Sequence, residues 1–102
     1  VLLAIKRTIS SFFVDTDTPL DIVWVACPTL AGKLLMGVCY RPPSSDCLFV
    51  SELHRSISRA LDLFPTRKIY LFGDFNFPDI DWSRTSSSNS TSSEFIEQCL
   101  DF

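Results

Sequence analysis

At 102 residues, 46% of them hydrophobic and 13% aromatic, the chain has room for one small domain and is too apolar to be disordered. Its net charge of −3 is the wrong sign for gripping phosphate backbones by counterion release, which counts against nucleic-acid binding by these residues alone. No apolar run approaches the length of a membrane span, and the front carries no signal-peptide pattern. Cys27, Cys39, Cys47 and Cys99 form no C-x-x-C pair and read as reduced thiols of an intracellular protein, nuclear or cytoplasmic. The chain opens on Val1 without a Met and stops in what reads as a helix, so it is expected to be a piece of a longer protein, truncated at both ends.

In chain order, Val1 to Arg7 and Ile9 to Val14 are two apolar runs that predict two short strands, followed by a turn at Asp15-Thr16-Asp17-Thr18-Pro19. From Leu20 to Cys27 neither alternate set of side chains is polar, so this strand is expected to be buried on both faces. Residues 28–32 make a hairpin turn into the apolar strand Lys33 to Tyr40, which Pro42-Pro43 ends because proline donates no ladder hydrogen bond. Asp46 is placed to cap a helix whose apolar stripe is Val50, Leu53, Ile57, Leu61 and Phe64. Glu52, Arg55, Ser56 and Arg59 fall largely on its other side, and Pro65 ends it.

The next stretch, Lys68 to Trp82, organises the rest. Ile69-Tyr70-Leu71-Phe72 has no polar member, which predicts a central strand covered on both faces. It then breaks on Gly73-Asp74-Phe75-Asn76, and an extended chain there sends the Asp74 and Asn76 side chains to one side, where they can converge on a ligand. Asp and Asn beside Gly and Pro are also common turn formers, and spacing alone leaves the two readings balanced. Residues 83–93 read as a Ser-rich mobile loop, after which Glu94 to Phe102 resumes helical spacing through Phe95, Ile96, Cys99 and Leu100. The sum is a partial α/β sandwich: consecutive strands, a crossover helix and a last buried strand.

Gly73-Asp74-Phe75-Asn76 with Phe77-Pro78-Asp79-Ile80-Asp81-Trp82 behind it, and Tyr40-Arg41-Pro42-Pro43 upstream, resembles the endonuclease/exonuclease/phosphatase superfamily. The closest likeness is to the endonuclease domain of LINE-type non-LTR retrotransposons. The resemblance implies a DNase I-like α/β (α+β) fold, two packed β-sheets flanked by helices, of which residues 1–102 are the central part. It implies Mg²⁺- or Mn²⁺-dependent phosphodiester hydrolysis that nicks DNA, with a reverse transcriptase as the neighbouring domain and no membrane partner. By motif match, Asp74 contacts the attacking water as base or orienter, Asn76 hydrogen-bonds the phosphate or transition state, and the Tyr40 hydroxyl faces the scissile phosphate.

Each role has a plainer competitor. Tyr40 without the resemblance closes an apolar strand with its hydroxyl at the surface, and Arg41 is a solvated charge more often than a phosphate contact. Asp79 and Asp81 read as turn residues, Trp82 as packing over that turn rather than stacking on a base, and His54 as a surface histidine. The chain also departs from the pattern. No Glu precedes Glu52 to act as the principal metal ligand, and nothing after Trp82 reads Ser-Asp-His. The metal ligands are therefore left unassigned. A non-catalytic structural or binding remnant, or a phosphatase of the same fold, stays open beside the nuclease.

Overall fold

The computed structural model describes residues 1–29, 32–43, 48–87 and 90–101. Its elements are β1 (Phe12–Val14), β2 (Asp21–Thr29), β3 (Gly32–Tyr40), α1 (Leu48–Leu63), β4 (Lys68–Asp74) and α2 (Ser90–Asp101). The strands make one mixed sheet in the order β1-β2-β3-β4. The first two pairings are antiparallel, and α1 crosses over so that β4 lies parallel to β3. This is the mixed α/β arrangement that strand, helix, strand around one site requires.

The helices cover one face of the sheet. Trp24 and Ala26 of β2, Leu35 and Cys39 of β3, and Phe49, Val50, Leu53, Ile57 and Ala60 of α1 form the core, joined by Phe95 of α2 and flanked by Ile69 and Leu71 of β4. The stripe on α1 is as expected, with Leu61 half-buried and Phe64 buried just beyond the helix end. The middle of β2 is buried through four consecutive residues, Trp24 to Cys27, as its two apolar sets predict.

Several expectations are corrected. Val1 to Arg7 is not a strand: Ile9 N–H turns back to the Lys6 carbonyl at 2.9 Å, and only Phe12–Val14 of the second run finds a ladder partner, on β2. An apolar run without a neighbouring strand gains no ladder hydrogen bonds, and pattern alone does not supply the neighbour. β4 is an edge rather than a central strand. Its Ile69 and Leu71 face the helices, whereas Tyr70 and Phe72 on the opposite face are 52% and 56% exposed and stack on each other with ring centroids 6.4 Å apart. α2 starts at Ser90, so Ser90 to Ser93 belong to the helix and not to the loop, and Ser92 is fully buried. The expected cap Asp46 lies outside the described residues.

Ser56 is also on the buried side of α1. Its Oγ accepts a hydrogen bond from the Trp24 indole N–H at 2.9 Å and lies 2.7 Å from the Thr16 hydroxyl, tying the loop after β1 and the centre of β2 to the helix. Ser56→Ala is expected to cost about 1–3 kcal/mol, because the buried indole N–H loses its acceptor. Urea unfolding checks this, with a lower midpoint and an unchanged slope; an unmoved midpoint would show that the network carries no stability.

Candidate active site

The parallel pairing of β3 with β4 sets Tyr40 opposite Asp74 at the carboxyl ends of both strands. Opposed residues of a pleated pair project to the same face. Two of the three expected site residues thus become neighbours although 34 positions separate them in the chain. Both are exposed.

The step between them depends on Gly73. Its φ is +156°, and a Cβ built there would lie 1.8 Å from the carbonyl oxygen of Cys39, on the neighbouring strand. Only glycine lets the two backbones approach this closely just before Asp74. Cys39 itself is a core thiol: burial first, and the Asp21 carboxylate second, push it up to about 12.

After Asp74 the chain does not stay extended. Asn76 has φ +51°, a left-handed conformation that Asn tolerates better than most residues. Its backbone N–H donates to Asp74 Oδ1 at 3.2 Å, and its side-chain Nδ2 donates to the Arg41 carbonyl. The expectation that both side chains leave one side of an extended strand is therefore replaced by a turn. Asp74 shapes that turn through one oxygen, and the Asn76 carboxamide folds back on the end of β3. A carboxylate has several acceptor positions and a carboxamide a second N–H, so capacity for a ligand is left on both.

Arg41 departs from the solvated charge expected after a strand. It is not solvated: it is 7% exposed, and its guanidinium lies 4.1 Å over the Phe77 ring and 5.5 Å from that of Phe49. From there Nη1 donates to the carbonyls of Asn76 at 2.9 Å and Phe75 at 3.4 Å. The available signal is Phe77 just after Asn76, which offers an arginine one ring beside the carbonyls of Phe75 and Asn76.

The rest of the turn is held from α2. Phe95 packs against Phe75, Phe77 and the edge of Trp82, at centroid distances of 5.0, 4.6 and 6.2 Å. Ser92 Oγ donates to Asp79 Oδ1 at 2.7 Å, fastening the helix start to the turn. Asp81 accepts at Oδ1 from the Ser83 hydroxyl and from the Ser83 and Arg84 N–H groups, and the Ser83 bond is the main reason its carboxyl sits below the usual range. Asp79 and Asp81 thus serve the turn. Trp82 leans one edge on Phe95 but stays 59% exposed, and His54 is exposed on α1.

Arg41, Asn76, Asp79 and Ser92 line one cleft beside these strand ends. Among the described residues no three His, Cys, Asp or Glu side chains gather into a group that could hold a metal ion. No helix among them is long and apolar enough to cross a membrane.

No curated protein and no solved structure matches the chain. A family model described as endonuclease-reverse transcriptase matches residues 34–102, more than half of the chain and the part that runs from β3 through α1, β4 and the turn to α2. With Tyr40, Asp74 and Asn76 all inside that match, the chain belongs to the endonuclease-reverse transcriptase family.

Proposed function

We propose that this chain is the central part of an endonuclease domain that hydrolyses phosphodiester bonds and nicks DNA. A second sheet would complete the domain, and a reverse transcriptase would follow in the same protein, which works inside the cell in the nucleus or cytoplasm. The observation that carries the reading is the Tyr40–Asp74 register, which brings a phenol and a carboxylate to one face at the ends of parallel strands with Asn76 one turn away. Ligand sites of open α/β sheets lie outside the carboxyl ends of such strands.

Hydrolysis at neutral pH needs an activated water, charge neutralisation on the phosphate and help for the departing oxygen. Asp74 has acceptor positions beyond the one used by Asn76 N–H, and takes the role of orienting the attacking water and receiving its proton. The second N–H of the Asn76 carboxamide and the Tyr40 hydroxyl are the neutral donors for phosphate oxygens. A divalent cation, Mg²⁺ or Mn²⁺, supplies the charge neutralisation when bound. Mg²⁺ takes one or two carboxylates plus substrate oxygens and waters, and Asp74 offers one such carboxylate at these strand ends. We place the principal ligand in a Glu, and the acid in a Ser-Asp-His, outside these 102 residues, in which no Glu precedes Glu52 and no Ser-Asp-His follows Trp82.

Two preparations test this in a supercoiled-plasmid assay. The full-length protein is expected to nick in millimolar Mg²⁺ and stop in EDTA, whereas residues 1–102 alone are expected to show little or no nicking. Robust nicking by the isolated chain, lost in Asp74→Ala, would show that no outside ligand is needed. A full-length protein that never nicks would favour the non-catalytic remnant.

A further inference from the structure

We propose that Arg41 is the positioning residue of this site: its buried guanidinium locks the turn carrying Asp74 and Asn76 onto the end of β3, and so fixes both against Tyr40. The inference rests on the nuclease reading above for its catalytic consequence, but the lock itself is a matter of geometry.

Arg41 reaches residues 74–76 through its backbone N–H, its carbonyl and its guanidinium Nη1. Its backbone N–H donates to the Asp74 carbonyl at 2.9 Å, extending the β3–β4 ladder one step past Tyr40. Its carbonyl accepts from the Asn76 carboxamide, and its guanidinium donates to the Phe75 and Asn76 carbonyls. The bonds to Asn76 run both ways, so neither segment can move without breaking them. The rings of Phe77 and Phe49 hold the guanidinium, at 4.1 and 5.5 Å.

Arginine suits this place and lysine does not. A guanidinium is planar, weakly hydrated and charged at all working pH values, so it stacks on a ring while donating in its own plane. An ammonium is a compact, strongly hydrated point charge without that fork. The guanidinium Nη1 is engaged by carbonyls of the turn, and the tandem prolines after Arg41 stiffen the chain that presents it.

The test compares Arg41→Lys and Arg41→Gln with the wild type in the full-length protein, using single-turnover nicking, DNA affinity and hydrogen–deuterium exchange. Both variants are expected to nick about ten- to a hundredfold more slowly, the scale of a reacting group displaced by about an ångström. DNA affinity is expected to stay within about twofold. Peptides spanning 72–80 are expected to exchange faster while those of β1 and β2 do not change. A wild-type rate with unchanged exchange overturns the proposal, as does weakened DNA affinity at an unchanged rate, which would make Arg41 a phosphate contact. Faster exchange throughout the sheet also overturns it, by reducing Arg41 to a general fold residue. Asp74→Ala serves as the reference: if it nicks normally the nuclease reading fails, and the exchange pattern alone then decides the lock.

Discussion

Gly73→Ala is expected to be strongly destabilising. The added methyl would sit 1.8 Å from the Cys39 carbonyl oxygen, about half an ordinary contact distance, and the obstacle is backbone rather than a side chain that can rotate away. The φ of +156° adds strain for any residue with a Cβ. Relief requires β3 and β4 to part at the ends that carry Tyr40 and Asp74. A loss of about 3 kcal/mol or more follows, against a total of only about 5–15 kcal/mol for a small domain. Urea denaturation of wild type and variant measures it, and a midpoint equal to that of wild type would mean that the strands are not packed this closely.

The largest effects on activity are expected at Asp74 and Asn76. Asp74→Asn keeps an oxygen able to accept from Asn76 N–H and so keeps the turn, but it removes the carboxylate proposed as the base. For Asn76 the left-handed backbone decides the choice of variant: alanine at φ +51° would add strain of about 1–2 kcal/mol, whereas glycine adopts that conformation freely. Asn76→Gly therefore removes the carboxamide with the least disturbance, although it also loses the bond to the Arg41 carbonyl. Each variant is expected to lower single-turnover nicking by the full-length protein about a hundredfold or more, comparable to losing a general base or one transition-state donor.

Much of this arrangement is legible in the chain. The apolar run ending at Tyr40, the stripe from Val50 to Phe64 and the second run ending at Gly73-Asp74 give strand, helix, strand directly, because one-face burial imposes its period on each. Parallel pairing then brings Tyr40 to Asp74 without further information. What pattern does not reveal is what lies on either side of a strand. Tyr70 and Phe72 read as buried because they are apolar, yet they face outward, since burial depends on neighbours and not on the residue.

Pattern is equally silent on the partners of small polar residues. Ser56 reads as surface, but it sits on α1 between Leu53 and Ala60 beneath an indole N–H that needs an acceptor. Ser90 to Ser93 read as loop by composition, although serine is favoured around a helix start; Ser92 is fixed there by a long-range bond to Asp79 of the turn, which composition does not report. Arg41 shows the same failure for a charge. Two phenylalanines and two turn carbonyls make a burial site for a guanidinium that no periodicity reports.

Asp74 is proposed to do chemistry beyond shaping the turn it joins. Single-turnover nicking of supercoiled plasmid in Mg²⁺ by the full-length protein, measured for wild type and Asp74→Asn beside their thermal melts, separates the two. A catalytic Asp74 leaves the melting temperature of Asp74→Asn unshifted and its nicking reduced about a hundredfold or more; an Asp74→Asn protein that melts and nicks like the wild type would rule the catalytic role out.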